Sequence, residues 1–412
     1  MQTKLEIDPD RLLSNLRCLA TFGAHLTGVH RPTFSPQDMA ARAWLMDRMR
    51  EARLEPELDG IGNILGRAPH ARRRLLVGSH SDSQNHAGWL DGALGVVFAL
   101  EIALAIAKLG DPDVAVEPVD WADEEAHFAS FLGSRSAIGE LSEAEIDQSR
   151  CATTGTPLRQ ALASAGLEGR PRFRIDPSCY LGYLEAHIEQ GDYLDAHDLS
   201  LGVVSSIVGI VQYRLSFRGQ RNHAGTTRMA IRKDAGAAAV ALLHRIHERF
   251  RAIAAERTVW TVGSIRLEPG QVSIIPDLAE VMLQVRDADD AVLARLDSAL
   301  RDMVAEAGAA SRCEIGLQVE SRTNPQSMDA RLQKALELSA EQASPGRVMR
   351  MPSGAGHDAQ ILAQVMPAGM LFVPSIGGIS HHWDENTRDE DIVLGCQALA
   401  GACARLLWGD MR

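Results

Sequence analysis

Leu12, Leu13, Leu16 and Leu19 recur at helical spacing directly after Asp8-Pro9, and Met39, Ala43, Leu45 and Met46 follow Ser35-Pro36 in the same way. A side chain able to cap, a proline whose fixed φ suits the first helical position, and then an apolar stripe predict two opening helices. Strand-like runs stand at 75–77 and 114–119. Between them, residues 93–109 are apolar nearly all round, as in a helix packed on a sheet. Strand and helix in alternation predict an α/β domain on a mostly parallel sheet.

The rhythm changes in the middle of the chain. Residues 203–217 read as one long strand, 232–250 as a helix and 258–267 as a strand; 281–285, 290–305 and 314–319 then read strand, helix, strand. The order β-α-β-β-α-β predicts an open-faced sandwich on a four-stranded sheet. Helix 328–340, strand 370–373 and helix 389–407 resume the first pattern. The expected organisation is an α/β, mixed-sheet catalytic domain, 1–208 and 323–412, interrupted by an inserted α+β domain at 209–322.

Composition narrows the class. A chain of 412 residues exceeds one ordinary core, and 45% apolar with 23% charged residues is ordinary globular usage. A formal charge of −12 argues against nucleic-acid or anionic-membrane partners. A few local arginines or metal ions can still receive an anionic substrate. No apolar run reaches the roughly 18–20 residues of a membrane span, and MQTKLEIDPDRLL has no signal-peptide core. Cys18, Cys151, Cys179, Cys313, Cys396 and Cys403 form no CxxC pair, and are expected to be reduced and mostly buried in a cytoplasmic protein.

Candidate chemistry gathers where strands are predicted to end. Gly78-Ser79-His80-Ser81-Asp82-Ser83 follows one strand, Trp89-Leu90-Asp91-Gly92 precedes the apolar helix, and Trp121-Ala122-Asp123-Glu124-Glu125 closes the next strand. Glu185-Ala186-His187-Ile188-Glu189-Gln190-Gly191 and Ser380-His381-His382-Trp383-Asp384-Glu385 come later. Any one of these is more simply a structural histidine or a solvated acidic turn. Together they put imidazoles and carboxylates where parallel sheets carry their active sites.

In this order, and with Asn222-His223-Ala224-Gly225-Thr226-Thr227 and Gly354 to Ala359 (Gly-Ala-Gly-His-Asp-Ala) among them, the motifs resemble the hydantoinase/carbamoylase amidases. These comprise N-carbamoyl-L-amino acid hydrolases, β-ureidopropionases and allantoate amidohydrolases, a branch of the dinuclear-zinc aminoacylase and carboxypeptidase superfamily. The resemblance covers about residues 10–405, and the inserted sandwich matches the family's dimerisation or lid domain. It implies that His80, Asp91 and His187 hold one divalent ion and Asp91, Glu125 and His381 a second, with Asp91 bridging. His381 competes with His382, and the family's Ser-His order favours His381. Such an ion pair polarises a carbonyl and lowers the pKa of a shared water. Zn²⁺ suits these donors, and Mn²⁺, Co²⁺ or Ni²⁺ also fit.

By the same resemblance Glu124 is the general base and His223 the oxyanion donor. For neighbours Glu124 and Glu125 to aim at one site, strand alternation must break there. Gln190 would bind the ureido group, Arg286 would clamp a substrate carboxylate, and His357 would be a further active-site imidazole. Asp82 would orient a ligand imidazole. The family further implies a cis peptide between Asp91 and Gly92, and a homodimer in which His223 serves the partner subunit's site.

The chain departs from the family around the pocket. Ser273 replaces a substrate-contacting asparagine, and Trp89 a tyrosine or phenylalanine; Arg228 and Trp383 stand where proline is usual, and Ala126-His127 replaces Gly-x-Arg. The expected reaction is hydrolysis of an N-carbamoyl amino acid or related ureido acid to amine, ammonia and carbon dioxide. Cleavage of an N-acyl amino acid is the alternative, separated by the absence of ammonia. A silent ligand-binding dimer would have no use for Glu124.

Overall fold

In the computed structural model, which describes residues 5–409, both opening helices form where capping chemistry places them. They span Pro9–Thr21 and Pro36–Glu51, with Asp8 accepting from the Arg11 N–H at 3.2 Å and Ser35 from the Asp38 N–H at 3.1 Å. Residues 1–4 and 410–412, counted with the expected catalytic domain, lie outside the described residues.

The chain divides into two compact units. The first takes residues up to Ser205, Ser327–Met351 and those from Ala355 onward; the second takes Ser206–Gln326 and Pro352–Gly354. The main sheet is mixed, and the described chain has twelve α-helices. At its centre Ala368–Val373, Tyr183–Ile188, Arg73–His80 and Val114–Trp121 run parallel in that spatial order. Ile64–Arg67 adds antiparallel on one side and Leu201–Ile207 on the other. Every residue of Val114–Trp121 is buried, because helices cover both faces of a parallel sheet. Its two acids, Glu117 and Asp120, are buried with the rest.

Helix Ala93–Leu109 packs on that sheet with thirteen of its residues buried. Helix Asp389–Trp408 corrects one expectation: it contains an 18-residue window apolar enough to cross a membrane. In this fold 72% of that window is buried against the core, the ordinary place for such a helix. Of the cysteines, all free, Cys313, Cys396 and Cys403 are buried and the other three half-buried.

The second unit holds a four-stranded antiparallel sheet in the order Val259–Glu268, Leu278–Asp287, Gly209–Arg218, Glu314–Thr323. Helices Ala235–Ile253 and Asp290–Ser311 bury Leu242, Ile246, Leu296 and Leu300 against Leu215, Phe217, Leu283 and Val285. Gly209–Arg218 alternates buried and half-buried along its length, as a strand covered on one face must. The single strand expected at 203–217 is two, Leu201–Ile207 and Gly209–Arg218. At the break the Val208 N–H leaves the ladder to donate to the Ser353 carbonyl at 3.1 Å, a change of partner that hydropathy cannot display.

Candidate metal centre

Three parallel strands deliver the first unit's site residues. His80 ends Arg73–His80, His187 is the penultimate residue of Tyr183–Ile188, and the loop after Val114–Trp121 carries Glu124 and Glu125. Asp123 and Ala126 take left-handed backbone conformations, φ 58° and 59°, and so break the strand's alternation around the acidic pair. Asp123 holds this loop: its carboxylate accepts the N–H groups of His127, Phe128 and Ala129 at 2.8–2.9 Å.

The donor atoms form two trios that share Asp91. Oδ1 of Asp91 lies 3.1 Å from His187 Nε2 and 3.8 Å from His80 Nε2. Oδ2 lies 3.3 Å from His381 Nε2, which is 3.8 Å from Glu125 Oε2. Tetrahedral donors about 2.0–2.1 Å from a zinc ion stand roughly 3.3–3.4 Å apart, so the residues fit one cation in each trio.

The far ring nitrogens point the same way. His80 Nδ1 lies 3.0 Å from the Asp82 carbonyl and His187 Nδ1 2.9 Å from the Ile188 carbonyl. Each Nδ1 must therefore carry the proton, leaving the Nε2 lone pair for a cation. On His187 the Gly92 N–H at 3.2 Å confirms Nε2 as an acceptor. Asp82 thus orients His80 with its backbone, since its carboxylate is 3.7 Å away. Its side chain instead accepts from the Thr33 hydroxyl at 2.9 Å.

Burial, and then Glu125, push the Glu124 pKa well above the carboxylate range; burial and Asp91 raise Glu125 to about 8. Burial also works against the Asp91 carboxylate, but the neighbouring rings of His187 and His381 hold its pKa well below the usual range. Among the described residues no lysine or arginine, and only histidine rings, lie within ion-pair distance of these three carboxylates. A buried acidic cluster without lysine or arginine is what divalent cations compensate. Glu124 belongs to neither trio, and its Oε2 stands 3.7 Å from His80 Nε2.

His381 faces Asp91, whereas His382 accepts the Asp384 N–H at 3.2 Å on Nδ1 and lies tilted against Trp383 with ring centres 4.1 Å apart. Gln190 presents its amide to the second trio, donating to Asp91 Oδ2 at 3.0 Å. The buried His357 ring stands edge-on to His187 at 4.6 Å, and burial followed by His187 drives its pKa well below 6.5. Trp89 packs half-buried against the apolar core.

His223, Ser273 and Arg286 belong to the second unit. His223 pairs with Ile274 in a two-stranded ribbon, and the Ser273 carbonyl beside it accepts the Ala224 N–H at 3.0 Å. Arg286 donates to Gln284 at 2.8 Å and to the Gly354 carbonyl at 2.9 Å. Half-buried, it has no acidic partner among the described residues, and burial lowers its pKa. One expectation fails: the only cis peptide among the described residues is Glu268-Pro269, so Asp91-Gly92 is trans.

Sequence reading missed Gln84. Its N–H and amide donate to the Glu125 carboxylate at 3.2 and 2.9 Å. It also missed a file of rings beside His382 and Trp383: His25 lies 6.0 Å from Trp383, and His86 lies 4.3 Å from both His25 and His30. Neither carries a local signal, because both depend on the meeting of loops distant in sequence.

Residues 76–405 match the model of peptidase family M20/M25/M40. The chain is 34% identical over 407 residues to an N-carbamoyl-L-amino-acid amidohydrolase of Paenarthrobacter aurescens, covering 95% of this chain and 96% of that one. It is 32% identical over 402 residues to the allantoate amidohydrolase of Escherichia coli K12, covering 95% and 96%. A crystal structure of a hydantoinase/carbamoylase family amidase from Burkholderia phymatum superposes with a TM-score of 0.91 at 46% identity, over the full length of both chains.

Proposed function

The chain belongs to peptidase family M20/M25/M40, in its hydantoinase/carbamoylase branch, and from that premise we propose that it hydrolyses an N-carbamoyl amino acid or related ureido acid with two divalent ions, zinc foremost. The observation that carries this reading is the division of the Asp91 oxygens between two donor trios. The named relatives act on N-carbamoyl-L-amino acids and on allantoate, both ureido acids.

When bound, the ions would polarise the scissile carbonyl and make the attacking water acidic. Glu124, beside His80 and outside both donor trios, takes the water's proton and returns it to the leaving nitrogen. Gln190 binds the ureido group. His223 Nε2–H donates to the developing oxyanion. Arg286, a half-buried guanidinium with no acid of its own, takes the substrate carboxylate in a two-pronged hydrogen bond. His357 supplies a neutral ring behind His187, and Ser273 borders the His223 ribbon.

The second unit is read as a dimerisation and lid domain. Its edge strand Val259–Glu268 leaves Val259 and Ile265 more than half exposed, an apolar edge that pairing with a second copy would cover. Reduced cysteines suit a cytoplasmic homodimer. The deciding experiment screens ureido acids for ammonia release with metal-loaded and chelated enzyme. Metal-dependent ammonia supports the reading; cleavage of N-acyl amino acids without ammonia would replace it by the aminoacylase alternative.

A further inference from the structure

One buried carboxylate beside the two trios has no part in the reaction just described. Glu385 is 1% exposed. Its Oε1 accepts the backbone N–H groups of Leu90 at 3.2 Å and of Asp91 at 3.1 Å, and its Oε2 accepts the Ser380 hydroxyl at 3.0 Å. One side chain thus ties the backbone of the shared ligand Asp91 to the residue immediately before ligand His381, across 294 positions of sequence.

The facing backbone is shaped to admit it. A Cβ on Gly88 would lie 1.9 Å from Glu385 Oε1 and 2.0 Å from its carboxyl carbon. Gly88 does not need glycine's left-handed freedom, since its φ is not positive. What it needs is the absence of a side chain. No lysine or arginine pairs with Glu385 among the described residues, so hydrogen bonds to neighbouring loops hold it.

The two subsites depend on this tie unequally. His80 and His187 are fixed on strands of the central sheet, each with Nδ1 bonded to a nearby carbonyl. His381 sits on a loop with φ 54° and its side chain 51% exposed. Ligands on strands keep their aim when one neighbour is lost, whereas a loop ligand keeps it only through its anchors.

We propose that Glu385 is a positioning residue that sets the distance between the two metal subsites, with Gly88 as the notch that receives it. The proposal rests on the two-ion reading above. Glutamine fills the same space: its oxygen can accept the two N–H groups while its amide donates to the Ser380 oxygen. Position, and not charge, is therefore what must be kept.

The test is stepwise binding of Zn²⁺ and of Co²⁺ to the full-length apo protein, by calorimetry and by the Co²⁺ absorption spectrum, with circular dichroism as a check of folding. Wild type should take two ions. Glu385→Ala and Gly88→Ala should hold the first ion as wild type does and bind the second about 10- to 100-fold more weakly, the usual cost of losing an outer partner of a metal ligand. Glu385→Gln should restore the second affinity. If Glu385→Ala does not fold, Gly88→Ala and Ser380→Ala carry the same comparison. Two ions bound with wild-type affinity in the alanine variants, or a glutamine variant as weak as alanine, would overturn the proposal alone. A wild type that takes a single ion would overturn the two-ion reading and the proposal with it.

Discussion

His223 and Gly225 are joined by a hydrogen bond in which the ring nitrogen accepts: the Gly225 N–H lies 3.0 Å from Nδ1, and the Thr226 N–H lies 3.2 Å from the same atom. Two backbone donors on Nδ1 leave no room for a proton there, so a neutral ring carries its proton on Nε2. The loop thereby sets the tautomer an oxyanion donor needs. His223→Ala should lower kcat by about 10²–10³-fold with a small change in thermal stability, since the ring is exposed. If the donor serves the partner's site, mixing His223→Ala with Glu124→Gln subunits should restore part of the activity. Verified heterodimers without recovery would assign His223 to its own subunit.

Glu124 should separate chemistry from metal binding. Glu124→Gln removes a proton acceptor that belongs to neither donor trio, so metal content should stay at the wild-type value while kcat falls about 10²–10⁴-fold. Chelation should abolish turnover in both proteins. Elemental analysis beside initial rates decides, and a Glu124→Gln rate near wild type would remove Glu124 from the base role.

Much of the fold was legible because local rules and tertiary demands agree. The Asp8-Pro9 and Ser35-Pro36 signals mark true helix starts, and the apolar stretch from Ala93 to Leu109 is buried as read. The residues that the fold gathers into two trios were named together through motif resemblance, which carries information that periodicity lacks. The rest depended on contacts between distant segments. Helices Leu132–Ile138, Glu143–Gln148 and Leu158–Ser164 are too short to show a clear period and are stabilised by a satellite core around Ile61. Glu385 carries no local signal of its own, and only the approach of Gly88 and Asp91 reveals its place. The division of 203–217 at Val208 was hidden because only a change of hydrogen-bonding partner marks it, the Val208 N–H turning to the Ser353 carbonyl.

Arg286 should act on binding. Arg286→Ala should raise KM for a carboxylate-bearing substrate steeply with a smaller effect on kcat, and Arg286→Lys should rescue poorly, because an ammonium cannot copy two parallel N–H···O bonds. Kinetics on an acid and its amide analogue provide the check. An equal loss on both substrates would show that Arg286 does not read the carboxylate.

Ser273 bears on substrate size. It is exposed beside the His223 ribbon and is shorter than the asparagine usual in the family. Since Trp89 is packed on the core, the prediction rests chiefly on Ser273: small ureido acids should be poor substrates and larger or ring-derived ones better. Turnover of N-carbamoyl-β-alanine with kcat/KM above about 10⁴ M⁻¹s⁻¹, the low end for efficient enzymes, would contradict it.

Arg42 and Asp120 supply a prediction about stability. Both side chains are wholly buried, with Arg42 Nη1 3.2 Å from Asp120 Oδ2 and Arg42 Nε 3.1 Å from Asp38. Asp120 also accepts the Ser81 hydroxyl at 2.9 Å, next to His80 in sequence. Burial is the main force on Asp120; Arg42 pulls its pKa down, Asp38 and Asp82 push it up, and the result is about 7. In the unfolded chain an aspartate titrates near 3.9. A folded pKa raised above the unfolded one means that the stability from the protonated group is full below about pH 4 and is lost as pH rises through 7. Asp120→Asn is neutral at every pH and keeps an oxygen for Arg42 and Ser81. It should therefore melt above wild type at pH 8, with the margin shrinking steadily as pH is lowered towards 4. Arg42→Met leaves two buried carboxylates without their cation and should cost about 3–5 kcal/mol. Thermal unfolding followed by circular dichroism across that pH range is the measurement. A margin that stays constant, or grows in acid, would show that Asp120 is already charged in the folded protein across the whole range.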